Sequence, residues 1–235
     1  SSDAVLFITT VQEHAAAVKE MAATTGMNYE VMIFENHGRD VLPFLKVLRV
    51  IDGRGFSHLL KLHTKKSIHR DDGDRWRNSL YDKLLDPRLA DQIRPYFAAN
   101  PEVGLVGPEG YIAPLSYYWG LNRQNIEMLS RRLGFAKLNP EEQQFIAGTM
   151  FYARFDALKP LLQLALNDDN FEMEAGQVDG TLAHAIERVI ALSAESVGMG
   201  IVSSDRVVGF GEPHGAKLED FYPPDSKTNQ IVSVS

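Results

Sequence analysis

The first 62 residues alternate between apolar, β-rich runs and helical segments, and this alternation limits the fold more than any other feature. Residues 3–10 (DAVLFITT), 28–36 (NYEVMIFEN) and 56–63 (FSHLLKLH) have the composition of strands. Between the first two strands lies an alanine-rich helix that ends at Gly26. Between the second and third lies a helix that begins after Asp40, which serves as its cap. Strands and helices that alternate with short connections predict an α/β fold, a mostly parallel sheet with helices on both faces.

The remaining segments continue this pattern. We expect a fourth strand at 102–108 and an aromatic loop at 109–122. A strand bent at Gly148 is expected over 143–154, and residues 200–210 are expected to return to the sheet as a further strand. Helices are predicted at 73–86, 87–100, 122–134, 155–166 and 178–198. No repeat or linker interrupts them, so we predict one domain over residues 1–210. Residues 211–235 are polar and contain prolines, which predicts a tail that packs on the body or is disordered.

Charge and composition exclude several classes of function. A formal net charge of −7 argues against non-specific binding of nucleic acid, which needs broad positive surface. The chain has no cysteine, so disulfides, thiolate metal sites and cysteine nucleophiles are excluded. No apolar run approaches the roughly 20 residues that span a bilayer, and the first residues enter a strand without a signal-peptide pattern.

A cationic segment follows the third strand, in contrast to the acidic balance of the chain. Within residues 58–70 (HLLKLHTKKSIHR) the cations Lys61, Lys65, Lys66 and Arg70 lie close together in sequence, with His63 and His69 between them. Ligands of α/β sheets bind beyond the carboxyl ends of the strands, and ammonium and hydroxyl groups are donors that grip phosphate. The segment therefore predicts an anion site, with a solvated loop as the structural alternative.

A turn-forming stretch, ENHGRD, follows the second strand. Asn36 and Gly38 suit a tight turn, which by itself is a sufficient structural explanation. A functional interpretation adds backbone N–H groups beside Arg39 and Asp40 that would hydrogen-bond a nucleobase or ribose.

Two later stretches also carry candidate residues. Gly148 and Thr149 interrupt an apolar strand, which predicts either a close approach of backbone to ligand or a kinked core strand. Three carboxylates, Glu172, Glu174 and Asp179, precede a long helix, whose dipole favours anions. One of them would serve as a general base, although Asp179 is equally explained as a residue of the helix start.

Common nucleotide and hydrolase motifs are absent from the sequence. It contains no Walker loop, no G-x-G-x-x-G fingerprint and no G-x-S-x-G nucleophile elbow. Residues 69–74 (HRDDGD) leave open a metal-dependent phosphohydrolase, although they lack the partners that a kinase or calcium loop requires.

Four stretches together resemble the rhamnan synthesis protein F family of polysaccharide and lipopolysaccharide biosynthesis. They are ENHGRDVLPFL, LLKLHTKKS, VGLVGP with a following WG, and AGTMFYAR with EAGQVDGTLAHAIER, in family order from about Tyr29 to Gly198. The resemblance implies a GT-A-like (Rossmann-like) glycosyltransferase, often a rhamnosyltransferase, that uses a nucleotide-diphospho-sugar such as dTDP-L-rhamnose. It further implies that Asp179 is the acceptor base of an inverting transfer.

The sequence departs from the GT-A pattern at the end of the third strand. Where an Asp-x-Asp metal motif belongs, this chain has HTKKS. We therefore expect no divalent metal or other cofactor, with Lys65 and Lys66 stabilising the leaving diphosphate and His63 and His69 assisting. Mg²⁺ or Mn²⁺ becomes the expectation if this lysine mechanism is wrong.

These inferences assign roles to named residues. Residues expected to bind the nucleotide-sugar are Asn36, Gly38, Arg39, Asp40, His63, Lys65, Lys66, His69, Gly148 and Thr149. Residues expected to bind a saccharide or lipid-linked saccharide acceptor are Tyr118, Trp119, Gln177 and His184. The expected location is the cytoplasm or the inner face of the cytoplasmic membrane. The expected partners include other polysaccharide-assembly domains. The alternative is a noncatalytic carbohydrate- or nucleotide-binding module of a larger assembly enzyme.

Overall fold

The computed structural model describes residues 4–64, 72–177, 179–209 and 217–221, which form a mixed α/β fold. Its strands are β1 (Val5–Thr10), β2 (Asn28–Ile33), β3 (His58–Lys61), β4 (Val103–Gly107), β5 (Ile112–Pro114), β6 (Gln144–Ile146), β7 (Phe151–Arg154) and β8 (Gly200–Ser203). Its α-helices are α1 (Ala15–Thr24), α2 (Val41–Ile51), α3 (Gly73–Leu84), α4 (Pro87–Ala99), α5 (Arg123–Arg132), α6 (Phe155–Gln163), α7 (Leu182–Ser196), α8 (Ser204–Val208) and α9 (Leu218–Phe221). The α/β class predicted from the sequence is confirmed.

Local sequence explains where the helices begin and which face they bury. Pro87 occupies the first position of α4, and the carboxylate of Asp86 accepts a hydrogen bond from the Arg88 backbone N–H at 2.8 Å. The helix α2 buries residues at helical spacing, namely Val41, Leu42, Leu45, Leu48 and Ile51. The most buried helix is α7, with twelve of its fifteen residues inside, so it is the central element of the core.

The expectation of one mostly parallel sheet is wrong in strand direction. The described strands form a parallel pair β1–β2, a four-stranded sheet in the order β3-β7-β4-β8, and an antiparallel pair β5–β6. In the four-stranded sheet β7 lies antiparallel to both β3 and β4, whereas β4 and β8 are parallel as expected. The physical reason is that β7 enters the sheet between β3 and β4, neither of which is connected to it by a single crossover helix, so the parallel rule for such connections does not apply.

The predicted bent strand over residues 143–154 is two strands in two different sheets. Gly148 and Thr149 separate β6 from β7 and both have positive φ angles, 88° and 48°. A Cβ atom on Gly148 would lie 2.8 Å from Leu80 Cδ1, so the turn needs glycine for space as well as for its dihedral angle. The predicted loop over 109–122 likewise contains β5 and two short 3₁₀ helices.

Part of the predicted tail packs on the body of the protein. Leu218 and Phe221 are buried, and the Leu218 N–H donates a hydrogen bond to the Gly110 carbonyl at 3.0 Å. The Phe221 ring centroid lies 5.2 Å from that of Trp76. Residues 211–216 and 222–235 lie outside the described residues, and the predicted division at residue 210 stays a prediction.

Substitution of Gly104 by alanine tests the packing between the central sheet and its helices. A Cβ atom at this position in β4 would lie 2.8 Å from Met199 Cβ and 2.9 Å from Ala157 Cβ. We expect Gly104→Ala to lower the free energy of unfolding by about 1–3 kcal/mol, because the core must be forced apart. Gly200→Ala in the neighbouring strand is the matched control, since no atom lies within 4 Å of its added Cβ. Urea denaturation measures the free energy of unfolding of both variants, and equal losses for Gly104→Ala and Gly200→Ala would contradict this packing.

Candidate functional site

The turn after β2 is held against the loop that precedes α7. The backbone N–H of Arg39 donates to Glu174 Oε1 at 3.0 Å, and the Arg39 guanidinium donates to the Gln177 carbonyl. His37 Nε2 donates to the Phe171 carbonyl at 3.0 Å, because a carbonyl oxygen can only accept. The structure therefore joins two sequence-predicted stretches that are about 135 residues apart.

This turn depends on two consecutive left-handed residues. Gly38 and Arg39 have φ angles of 63° and 58°, and a Cβ atom on Gly38 would lie 2.5 Å from Leu42 Cβ. Glycine is therefore required at position 38. The backbone strain of Arg39 is offset by the hydrogen bonds that this residue donates to the loop before α7. Asn36 lies exposed at the start of the turn. The Arg39 N–H that we expected to face a nucleotide is occupied by Glu174.

A buried ion pair lies at the centre of the site. Lys61 Nζ, on a side chain only 4% exposed, lies 2.6 Å from Asp40 Oδ2 and donates to the Thr149 carbonyl at 2.8 Å. The Thr149 hydroxyl donates to the same Asp40 oxygen at 2.8 Å. Asp40 makes no capping bond to α2, because its carboxylate is used here. The prediction that Lys61 belongs to a cationic rim is therefore wrong: Lys61 is a structural cation inside the fold, because Asp40 and the Thr149 carbonyl already bind its ammonium group.

The surroundings of Asp40 keep it ionised. Burial alone would raise the pKa of this carboxyl, but the Lys61 charge, the neighbouring His63 and two hydrogen bonds outweigh burial. The net effect holds the pKa of Asp40 far below its ordinary value of 3.8. The site therefore carries a fixed negative charge matched by a fixed positive one.

His63 is held next to this pair with one nitrogen unused. Its Nε2 donates to the Gly148 carbonyl at 2.8 Å, and the Tyr81 hydroxyl donates to the His63 carbonyl at 2.7 Å. Burial lowers the pKa of the imidazole, the Asp40 carboxylate opposes that effect, and Lys61 reinforces it. A neutral ring with its proton on Nε2 leaves Nδ1 as an acceptor, and within the described residues this buried atom has no partner.

A chain of polar contacts leads from the Gly148 turn to Asp179. The Gly148 N–H donates to Glu187 Oε1 at 2.9 Å, and Glu187 Oε2 lies 3.3 Å from Arg188 Nη1. Arg188 Nη2 lies 3.9 Å from Asp179 Oδ1. The end of β3, the β6–β7 turn and the start of α7 thus contribute to one connected cluster. In the sequence alone, Glu187 and Arg188 were equally well explained as ordinary residues of the helix face.

Asp179 is fixed in orientation but remains accessible. Its Oδ1 accepts a hydrogen bond of 2.6 Å from the side chain of Asn122, which is fully buried and itself accepts from the Gly180 N–H at 3.2 Å. The side chain of Asp179 is 30% exposed. Gly120 lies against its second oxygen, since an added Cβ would be 3.1 Å from Oδ2. Asn122 was missed from the sequence, because a polar residue in an irregular loop carries no distinguishing pattern.

Other predicted acceptor residues serve the local structure around α7. His184 Nδ1 accepts from the Thr181 N–H at 3.3 Å, which completes a capping box at the start of the helix. The side-chain oxygen of Gln177 accepts from the Ala175 N–H at 2.9 Å, within its own loop. Their roles toward an acceptor stay predictions.

The predicted aromatic residues lie beside the Asp179 cluster. The Tyr118 ring lies under the Arg188 guanidinium at 5.7 Å, and Trp119 precedes Gly120 on the following turn. Lys65, Lys66 and His69 lie outside the described residues.

Over the described ranges, no group of three or more histidine and acidic side chains is arranged to hold a metal ion. Of the HRDDGD stretch, Asp74 forms a salt bridge of 2.9 Å with Arg77, and residues 69–71 are outside the described ranges. The expectation of a metal-independent reaction stays a prediction.

Comparison with known proteins finds similar sequences over most of this chain. The sequence model of the family described as rhamnan synthesis protein F matches residues 2–198 of this chain. Two proteins called "Uncharacterized protein WxcX", from the B100 and ATCC 33913 strains of Xanthomonas campestris pv. campestris, are 39% and 38% identical over 212 residues. The match covers 90% of this chain and 30% of each relative, so the chain corresponds to less than a third of their length. No solved structure matches.

Replacing Asp40 by asparagine tests the buried ion pair. We expect Asp40→Asn to lower the free energy of unfolding by about 3 kcal/mol, because Lys61 would keep a buried charge without its counter-charge. Asp156→Asn is the matched control: it breaks the exposed Asp156–Lys159 pair of 2.6 Å, which should cost less than about 1 kcal/mol. Urea unfolding at neutral pH measures both variants. A loss for Asp40→Asn no larger than that of the control would refute the central role of the pair.

Proposed function

The chain belongs to the rhamnan synthesis protein F family, and we propose that it is a glycosyltransferase domain of polysaccharide synthesis. It transfers a sugar, with L-rhamnose from dTDP-L-rhamnose as the first candidate, from a nucleotide-diphospho-sugar to a saccharide or lipid-linked saccharide. Since the curated relatives are more than three times as long as the matched segment, other domains of such a protein would contribute to the complete activity.

The observation that carries this proposal is the geometry of Asp179. A carboxylate that is partly exposed and held by Asn122 at 2.6 Å is suited to accept a proton from a bound hydroxyl group. Its second oxygen borders Gly120, where the absence of a side chain leaves room for an acceptor. The adjacent Trp119 provides a flat apolar surface for a sugar ring.

The proposed reaction is a single displacement. Asp179 takes the proton of the acceptor hydroxyl, and the acceptor oxygen forms a bond to the anomeric carbon of the donor sugar. The bond between that carbon and the diphosphate oxygen breaks, and the nucleoside diphosphate leaves with the electron pair. Attack from the face opposite the leaving group inverts the anomeric configuration.

The donor side lies at the turn around Arg39 and at the end of β3. We propose that the diphosphate binds beyond the end of β3, close to His63, and that Lys65 and Lys66 neutralise the charge that develops on the leaving group. The ammonium groups would thereby replace a divalent cation. Glu174 occupies the Arg39 N–H, so nucleotide binding at this turn would require the Glu174 side chain to move.

The described residues contain no helix that is both long and apolar enough to cross a bilayer. We propose that the domain acts on the cytoplasmic side, where a lipid-linked acceptor would bring it to the inner face of the membrane.

Replacing Asp179 by asparagine tests the catalytic role. We expect Asp179→Asn to lower kcat by at least about 10²-fold while donor binding stays unchanged, because the base is removed and the side-chain shape is kept. Transfer is measured from a panel of nucleotide-sugars to polysaccharide and lipid-linked saccharide extracts, and donor binding by thermal shift. The exposed Asp91→Asn on α4 is the control. Wild-type donor binding without transfer to any acceptor would favour the noncatalytic binding module, and full transfer by Asp179→Asn would remove this residue from its role.

The metal question has an independent test. We expect transfer to continue in excess chelator and to fall by at least about tenfold in Lys65→Gln/Lys66→Gln, since the charge that stabilises the leaving group is lost. Lys19→Gln, an exposed lysine on α1, is the control for a general loss of charge. Loss of activity in chelator, restored by Mg²⁺ or Mn²⁺, would contradict the lysine mechanism.

A further inference from the structure

A cleft of about 340 Å³ lies between α5 and the segment that follows it. Its volume is within the range of small-molecule sites, roughly 300–1,000 Å³. Trp119 borders the cleft on one side, and Phe135 lies in the segment after α5. The cleft therefore combines sufficient room with the aromatic surface on which sugar rings stack.

The charge of the cleft is opposite to that of the chain. Three cationic residues, Arg123, Arg131 and Lys137, line it together with one carboxylate, Glu127. Arg123 Nε is already paired with Glu127 Oε1 at 2.9 Å. Arg131 and Lys137 are exposed, and no ion pair of either is found among the described residues. Two positive charges are thus available to a ligand, in a protein whose formal net charge is −7.

The cleft shares one turn with the proposed catalytic carboxylate. The carbonyl of Trp119 accepts a hydrogen bond of 3.1 Å from the Asn122 N–H, and the Asn122 side chain donates to Asp179. Residues 119–122 therefore form one turn with two roles. Its first residue, Trp119, lines the cleft, and its last, Asn122, positions Asp179. A molecule that contacts Trp119 in the cleft would therefore touch the turn that also holds Asn122 against the carboxylate.

We propose that this cleft is a binding site for an anionic saccharide, one that carries a carboxylate or a phosphate group. Arg131 and Lys137 would bind the anion, and Trp119 would stack on the ring. The assignment of this saccharide as the acceptor rests on the proposed function, whereas its binding to the cleft does not. An acidic acceptor would explain why an acidic protein keeps exposed cationic side chains at this position.

Fluorine NMR of protein labelled with 5-fluorotryptophan tests the proposal directly. The chain has two tryptophans, so Trp119 reports on the cleft, while Trp76, packed on Tyr111 and Phe221, is an internal reference. Trp119→Phe assigns the two resonances. The probes are methyl glucuronide, glucose 1-phosphate and the neutral methyl glucoside, titrated without any donor so that the result is independent of transfer activity.

We expect at least one anionic probe to shift the Trp119 resonance and to bind at least about fivefold more tightly than the neutral probe, with binding that weakens as salt is added. The stronger of the two anionic probes identifies the group that the cleft prefers. Arg131→Gln/Lys137→Gln should raise the Kd of that probe about tenfold. Lys19→Gln/Arg206→Gln removes the same charge from exposed positions elsewhere and should leave the Kd unchanged.

A second variant should act in the opposite direction. Glu127→Gln removes the one carboxylate of the cleft and releases Arg123, so we expect it to lower the Kd of the anionic probe about threefold. A variant that tightens binding cannot be explained by damage to the fold. The proposal is overturned if neither anionic probe shifts the Trp119 resonance, if the neutral probe binds equally well, or if the Arg131/Lys137 and Lys19/Arg206 double variants behave alike.

Discussion

The Lys61–Asp40 ion pair is the interaction on which the rest of the site depends. It joins the start of α2, the end of β3 and the turn before β7, three elements that are far apart in the sequence. Two charges removed from water are stable only if each keeps its counter-charge and its hydrogen bonds. Since Thr149 accepts a hydrogen bond from Lys61 and donates one to Asp40, the pair fixes the position of Thr149 and of the strained turn that contains it. Gly148, in the same turn, then holds both His63 and Glu187.

The cations near Asp179 are mostly engaged by the protein itself. Lys61 is paired with Asp40, Arg39 with the loop before α7, and Arg188 with the His184 carbonyl and Glu187. They organise the site and leave little positive charge for a substrate. Our proposals therefore assign substrate charge to two other sets of residues: Lys65 and Lys66 for the donor diphosphate, and Arg131 and Lys137 for an anionic acceptor. Separate cationic sets on the two sides would neutralise a donor and an acceptor of like charge, which must meet for the transfer.

Much of the chain was predictable because its segments carry strong local patterns. The α/β class, the helices α1 to α7 and the strands β1 to β4 follow from apolar periodicity and from turn residues. The family resemblance also indicated that the ENHGRD turn and Asp179 belong to one site, and the contacts of Arg39 with residues 174 and 177 bring these stretches together. Local patterns did not predict the direction of β7. Strand direction depends on which neighbour a strand finds, and an apolar run has no orientation of its own.

By itself, the sequence determined the order of the elements, the acidic balance and the presence of a cationic stretch after β3, because these are properties of single segments. Only the tertiary structure decided that Lys61 is buried against Asp40 and that Asn122 orients Asp179. It also decided that the aromatic loop borders a cationic cleft. The first two are contacts between residues 21 and 57 positions apart in the chain. Such contacts form because buried polar groups must find partners wherever the packed core brings them, and no local pattern encodes that choice.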